Sequence, residues 1–230
     1  RDCPKALFGR FESGHRPLPE GWPPNTGMTM LRHPVERIIS GYFAADSQLH
    51  SCQSLRERYG CPEKGACPHS FRAGSSRRSP NVTNLTAIPL LEYARCVENC
   101  SANMLTGRDC DAPGPVDTDE AVRNLQELGF VGLMEEWQLT VCLFHAMFGG
   151  PVFLSEMSLI RPASEWTVGA RRDARRRLRR FLPASDMRVY RAAVRRFRAE
   201  LCFYGITEEW CREWRWWPAN QRRRGLELEV

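Results

Sequence analysis

The 230-residue chain has 33 Lys+Arg, 27 Asp+Glu, a formal net charge of +6 and 42% hydrophobic residues. This length suits one large α/β domain, residues 1–230, with a substantial core. No stretch resembles a signal peptide or a transmembrane helix, because the most apolar run, 139–154, is too short and is interrupted by His145 and a Gly-Gly pair. If the full-length protein has a membrane anchor, we expect it outside this sequence.

Arginine carries nearly all of the positive charge, since only Lys5 and Lys64 are lysines. Arginine stays charged and binds phosphate or sulfate oxygens in a bidentate manner. A GC-rich genome would produce the same bias, so composition alone does not assign a function.

The cysteines and glycosylation sequons indicate an oxidising, glycosylating lumen, since the chain has ten cysteines and three Asn-x-Ser/Thr sequons. Cys52, Cys61 and Cys67, with His69, are an alternative zinc set, but they lack the paired Cys-x-x-Cys spacing of structural zinc sites. Disulfides are therefore predicted, with their pairing left open. The sequons begin at Asn81, Asn84 and Asn99.

The first segment, 1–27, combines a Gly14-His15 pair with a proline-rich connector at 17–24. Taken alone, His15 has the character of a surface loop histidine. An imidazole also suits a general base, because its pKa lies near neutral pH.

Residues 28–43 predict a buried strand, a tight turn and a helix. Pro34 suits the first helical position, where a missing N–H costs nothing. Apolar residues then recur at i, i+3, i+4 and i+7, and Arg37 and Ser40 point away from that helix face. Arg32 falls at the carboxyl end of the strand, where open α/β sheets bind ligands. These three side chains and the helix N-terminus would form an anion pocket; the alternative is an ordinary strand–turn–helix with solvated arginines.

The pattern Arg-x-Pro-x-x-Arg-x-x-Ser-x-Tyr in this segment resembles the 3′-phosphate-binding motif of sulfotransferases that use 3′-phosphoadenosine 5′-phosphosulfate (PAPS). In that family the first Arg and the Ser hold the 3′-phosphate; here they are Arg32 and Ser40, eight positions apart. The resemblance implies that Arg32, Ser40 and Arg37 bind PAPS as co-substrate, without a metal. In the glycan-modifying branch a Gly-His pair precedes the motif and its histidine is the general base, which implies His15 as the catalytic residue.

The middle of the chain predicts one more strand among several helices. An irregular Cys-rich insertion at about 46–86 has no apolar period and is predicted to lack regular structure. Gly132 to Trp137 is again similar to the sulfotransferase branch; Glu135 and Glu136 there are alternative catalytic carboxylates or solvated residues of a first helical turn. The predicted elements are a helix from 88, a helix from Asp117 to Leu128, a parallel strand at 130–134, and a helix at 137–148 closed by Gly149-Gly150.

The last third of the chain contains a dense basic run at 171–180 and a helix at 186–197. Such a run is typical of a solvated helix face or a polyanion-binding patch. Aromatic residues are not interleaved with its arginines, so nucleic acid is not an expected partner, and a sulfated or carboxylated glycan fits a lumenal protein better. The final helix resembles the closing Asp-x-x-x-Tyr helix of the same family.

The order of elements predicts an α/β fold in which helices cover a parallel sheet. The resemblance, which runs from about Ser13 to Leu201, implies a P-loop-NTPase-like sulfotransferase fold. The family's 5′-phosphosulfate loop is not recognisable: residues 4–9 lack its hydroxyl side chains and lie too close to Arg32. We therefore expect the N-terminal βα unit to be missing and this chain alone to be inactive.

The resemblance, taken with the cysteines and sequons, implies a carbohydrate sulfotransferase of the Golgi lumen, a type II membrane protein in its full-length form. It would move a sulfuryl group from PAPS to a hydroxyl of a glycan acceptor. The alternative is a non-catalytic, polyanion- or glycan-binding pseudoenzyme that retains the 3′-phosphate pocket. A nucleic-acid-binding protein is disfavoured by the cysteines and sequons.

Overall fold

A computed structural model of the protein describes residues 17–43, 89–150, 156 and 165–215. His15, the insertion at 46–86 and the cysteines considered for zinc lie outside these residues. The elements within them are β1 (Met28–Leu31), α1 (Pro34–Phe43), α2 (Leu90–Cys96), α3 (Cys100–Leu105), α4 (Thr118–Glu127), β2 (Phe130–Leu133), α5 (Trp137–Phe148), α6 (Glu165–Arg177), α7 (Ala184–Phe203) and α8 (Glu208–Arg215).

Strands β1 and β2 form a parallel pair, in register from Met28 opposite Phe130 to Leu31 opposite Leu133. Within the described residues this sheet has two strands. The α/β prediction is therefore confirmed in a coarse form, as a mixed fold in which helices surround a small parallel sheet.

Both faces of β2 are covered, since all four of its residues are buried and successive side chains point to opposite faces. On one face Phe130 packs edge-on against Phe144 of α5, with ring centroids 5.4 Å apart. Gly132 lies on the same face, where an added Cβ would collide with Met30 and with Thr140 of α5. On the other face, Val131 and Leu133 share a core cluster with Val189, Ala193 and Phe197 of α7.

Helix α1 lies in a second core, and its apolar face is the one that its spacing predicts. Ile38 and Ile39 are fully buried against α2 and α6. The close approach of α2 requires Gly41, because a Cβ there would collide with the hydroxyl of Tyr93. This packing holds the β1–α1 turn, which carries the predicted anion site.

The helix boundaries follow local signals that the sequence contains. Asp117 caps α4 by accepting a hydrogen bond from the Glu120 N–H at 2.9 Å. Gly149 ends α5 with a positive φ of 75°, a conformation that favours glycine. The predicted stops of both helices are confirmed to within one residue.

Two disulfides join described residues, so the prediction of disulfides is confirmed for these cysteines. Cys100 pairs with Cys110 beside α3, and Cys142 pairs with Cys211, which ties α5 to α8. Cys202, on α7, is an exposed free thiol. Across the described ranges, no helix is both long enough and apolar enough to cross a bilayer.

Candidate functional site

The carboxyl ends of the two strands lie side by side because the strands are parallel and in register. The Met134 N–H donates to the Leu31 carbonyl at 2.8 Å, which extends the pairing past the end of β1. The His33 N–H then donates to Glu135 Oε1, also at 2.8 Å. The turn after β1 and the turn after β2 are therefore joined at this edge of the sheet.

Tyr190, on α7, contacts both turns at this edge of the sheet. Its hydroxyl donates to Glu135 Oε2 at 3.2 Å. Its ring meets the His33 imidazole edge-on, with centroids 5.4 Å apart. Burial, followed by the negative charge of Glu135 and the hydrogen bond to it, raises the pKa of Tyr190 to about 12. The phenol therefore keeps its proton near neutral pH and acts as a hydrogen-bond donor to the carboxylate.

Arg32 is a half-buried cation in the turn between the end of β1 and the start of α1. Among the described residues its guanidinium has no hydrogen-bond or ion-pair partner. Glu36, which interacts electrostatically with Arg32, is bound by Arg175, whose Nε and Nη2 donate to its two carboxylate oxygens at 2.5 and 2.8 Å. That hydrogen bond is the main reason why the pKa of Glu36 is below its usual value. Arg32 is thus left available for an anion.

Ser40 is the seventh residue of α1 and is half-buried. Its hydroxyl has no hydrogen-bond partner among the described residues. It lies on the same helix face as Arg37, three positions earlier, so the two are separated by about 4.5 Å along the helix axis. The predicted helix is confirmed, and the role of Ser40 stays a prediction.

Arg37 has a structural partner that the sequence did not reveal. Its Nη2 donates to the Val97 carbonyl at 2.5 Å and to Asp186 Oδ2 at 3.0 Å. Asp186 is fully buried and also accepts from the backbone N–H groups of Ser101 and Ala102. Burial raises the pKa of this carboxyl, while the Arg37 guanidinium and the two N–H groups act in the opposite direction. Of the three predicted phosphate ligands, Arg37 is therefore the one that other described residues already bind.

Asp186 and Tyr190 are the two site residues for which sequence reasoning proposed no role. The sequence feature that could have indicated them is their spacing, because residues four positions apart in a helix have their side chains on one face. Asp186 reaches α1 and α3 from that face, and Tyr190 reaches the end of β2. Helix α7 thereby connects Arg37 to Glu135.

A separate apolar groove of about 480 Å³ lies beside β1, on the α5 face of the sheet. His145 and Glu156 form its polar wall, with Nε2 and Oε2 3.2 Å apart. It includes none of the residues predicted to bind PAPS. Its main apolar lining comes from Met28, Met30, Phe130, Val141 and Phe144.

Within the described part of the chain, Arg32 and Ser40 are the predicted site residues whose guanidinium and hydroxyl have no hydrogen-bond partner, and Glu135 is the carboxylate at the strand edge. His15, the predicted general base, lies outside the described residues. Within those residues no group of three or more His, Cys, Asp or Glu side chains could hold a metal ion. Comparisons of the chain with protein-family models, curated proteins and solved structures found no match.

Proposed function

We propose that the protein transfers a sulfuryl group from PAPS to a hydroxyl of a carbohydrate. The observation that carries the proposal is the half-buried Arg32 guanidinium, which has no hydrogen-bond or ion-pair partner among the described residues. It lies at the carboxyl end of a parallel strand, directly before the N-terminus of α1 and eight positions before Ser40. A cation, a hydroxyl and a helix N-terminus together favour a phosphate group.

In this proposal Arg32 and Ser40 hold the 3′-phosphate and so orient the nucleotide. The acceptor oxygen forms a bond to sulfur as the bond from sulfur to the 5′-phosphate oxygen breaks. The hydroxyl proton passes to a base, and adenosine 3′,5′-bisphosphate leaves. Like phosphoryl transfer, such a displacement depends on positioning and charge stabilisation. The base is His15 by resemblance to the family, and Glu135 is the described carboxylate at the same edge.

The proposal also includes a more specific fold than the mixed α/β architecture described above. A P-loop-NTPase-like sulfotransferase fold would place a 5′-phosphosulfate loop on a further βα unit, which the described residues do not include. The parallel β1–β2 pair and the long crossover between the strands are compatible with such a fold. The disulfides are compatible with the oxidising lumen of the Golgi, where the proposal places the enzyme.

The test is to compare two nucleotides that differ in the 3′-phosphate, using calorimetry on the full-length protein. Arg32→Ala should weaken the binding of adenosine 3′,5′-bisphosphate by about 1.5–3 kcal/mol, the value of one charge-assisted contact. Ser40→Ala should weaken it by about 1 kcal/mol. Neither variant should change the binding of adenosine 5′-monophosphate.

Arg123→Ala is the matched control, because it removes an exposed arginine from α4, away from the strand edge. It should leave the affinity for both nucleotides unchanged. If Arg32→Ala weakened both nucleotides equally, Arg32 would not read the 3′-phosphate and the proposal would fail.

The second candidate is a glycan-binding pseudoenzyme, and the Arg37–Asp186 pair favours it, because that pair removes one cation from the predicted phosphate site. The two functions differ in turnover. The test offers the full-length protein radiolabelled PAPS and a panel of neutral and acidic glycans. If the protein binds adenosine 3′,5′-bisphosphate but transfers no sulfate to any of them, it is the glycan-binding pseudoenzyme.

A further inference from the structure

A row of arginines follows one face of α7, outside the proposed nucleotide site. Arg188, Arg191, Arg195 and Arg198 are spaced i, i+3, i+7 and i+10, which places them on one side of a helix. All four are exposed. Arg188 is ion-paired with Asp119 of α4. The other three have no hydrogen-bond or ion-pair partner within the described part of the chain.

This row begins beside the candidate site. Arg191 directly follows Tyr190, and the positive charge of Arg198 opposes the rise in the Tyr190 pKa, so its guanidinium lies within electrostatic range of that hydroxyl. From Arg191 to Arg198 the row covers about 10 Å along the helix axis. Tyr190 in turn hydrogen-bonds Glu135 at the strand edge. A ligand lying along the row would therefore reach the edge where the proposed transfer takes place.

The neighbouring basic helix does not present a comparable row. In α6, Arg175 is bound to Glu36 and Arg176 to Asp173, so ion pairs interrupt its run of arginines. On α7 the three unpaired arginines follow one another along one helix face, with no ion-paired arginine between them. The segment 188–198 contains no acidic residue. Three like charges held in a line on a rigid helix complement a linear ligand with repeated negative charges.

The chemistry of the row favours an acidic glycan over a nucleic acid. Guanidinium groups bind carboxylate and sulfate as well as phosphate, in a bidentate manner. Binding of single-stranded nucleic acid uses aromatic platforms between the cations, and the exposed face from 188 to 198 contains none. The disulfides are compatible with an oxidising compartment, where the abundant linear polyanions are glycans.

We propose that Arg191, Arg195 and Arg198 bind a linear acidic glycan, carboxylated or sulfated, and direct it toward the Tyr190–Glu135 pair. This names the class of the acceptor and so rests on the proposed sulfotransferase function. The glycan surface itself requires no nucleotide, and the two proposals can therefore fail separately.

The experiment measures binding of a heparin-derived oligosaccharide to the full-length protein without nucleotide. The triple variant Arg191→Ala, Arg195→Ala, Arg198→Ala should lose about tenfold or more in affinity, as expected for three exposed ionic contacts. A matched triple variant of the α6 region, Arg172→Ala, Arg179→Ala, Arg180→Ala, removes the same charge from other exposed positions and should change the affinity by less than about threefold. The α7 triple variant should keep its affinity for adenosine 3′,5′-bisphosphate.

Cys202 supplies a second, local measurement, because it is an exposed free thiol one helical turn beyond Arg198. Bound oligosaccharide should slow the alkylation of Cys202, as followed by peptide mass spectrometry, and the α7 triple variant should abolish this protection.

Equal losses of oligosaccharide affinity in the two triple variants would show that only net charge matters, and would overturn the proposal. Tighter binding of a single-stranded RNA of equal charge would overturn the choice of glycan. Loss of bisphosphate binding in Arg32→Ala with intact oligosaccharide binding would support two separate sites. Unchanged bisphosphate binding in Arg32→Ala with intact oligosaccharide binding would overturn the nucleotide site and leave the glycan surface standing.

Discussion

Arg37 donates to Asp186 at 3.0 Å and thereby joins α1 to α7 across 149 positions of sequence. The Asp186 side chain is fully buried, and its oxygens also bind two backbone N–H groups at the start of α3. One carboxylate therefore organises three helices behind the predicted anion site.

Removing this carboxylate should be strongly destabilising. Asp186→Ala leaves the Arg37 charge and two N–H groups without their acceptor, so the free energy of unfolding should fall by about 3–5 kcal/mol. Urea denaturation followed by circular dichroism measures this. Asp119→Ala, which removes the exposed partner of Arg188, should cost at most about 1 kcal/mol. Similar losses in the two variants would contradict a buried, organising role for Asp186.

The Glu36–Arg175 pair should contribute to the acid sensitivity of the fold. The hydrogen bond from Arg175 lowers the pKa of Glu36 below its usual 4.5. A carboxyl with a depressed pKa in the folded state stabilises the protein above its unfolded pKa and loses that contribution as the pH falls through the folded pKa. Glu36→Gln should therefore reduce the free energy of unfolding at pH 7 by at most about 1 kcal/mol, because the pair is partly exposed.

The difference between Glu36→Gln and the unaltered protein should shrink as the pH is lowered from about 5 to 3. Urea denaturation at a series of pH values measures it. A difference that stays constant over this range would show that the ion pair is not its source.

The contact between Gly41 and Tyr93 should appear as a coupling between two substitutions. Gly41→Ala forces a methyl group into the space of the Tyr93 hydroxyl and should cost about 1–3 kcal/mol. Tyr93→Phe removes that hydroxyl, whose pKa is raised to about 12 by burial. In the double variant the cost of Gly41→Ala should fall by about 1 kcal/mol or more, as a double-mutant cycle of unfolding free energies would report. Strict additivity would exclude the collision as the cause.

Thr140 of α5 should support the strand end that carries Glu135. Its hydroxyl donates to the Leu133 carbonyl at 2.9 Å and accepts from the Leu133 N–H at 3.0 Å, in place of a neighbouring strand. Thr140→Val keeps the shape but leaves the buried Leu133 N–H unpaired, while the Leu133 carbonyl keeps the Glu136 N–H at 3.2 Å. The protein should therefore lose about 1–3 kcal/mol of stability. Thr140→Ser keeps the hydroxyl and should retain most of that stability in the same thermal or urea assay. An equal loss in the serine variant would point to the lost methyl group instead.

The identity of the general base separates His15 from Glu135. In the full-length enzyme, His15→Ala should lower kcat by about 10²–10⁴-fold, the usual contribution of a positioned base, without changing the KM for PAPS. Glu135→Gln should lower kcat by less than about tenfold, because in this assignment Glu135 serves to hold His33 and Tyr190. The opposite ranking would assign the base to Glu135.

Local patterns in the sequence were sufficient for the elements near the site. Pro34 and the apolar spacing after it predict α1, and Asp117 and Gly149 predict where α4 starts and α5 stops. These predictions succeed because capping, glycine conformation and helical periodicity act within a few residues of the chain. The same local signals placed Arg32 at the end of a strand and Ser40 on the polar side of a helix.

Tertiary packing alone decided which of these side chains has a partner. Nothing near Arg37 in sequence indicates Asp186, and nothing near Glu135 indicates Tyr190 or the His33 N–H. The basic run at 171–180 predicted either a solvated helix face or a polyanion patch, and the structure pairs two of its arginines with Glu36 and Asp173. A row of arginines without partners among the described residues lies on α7. Such pairings join residues that are up to 149 positions apart. Their geometry depends on how the helices pack around the sheet, and this is information that no local pattern contains.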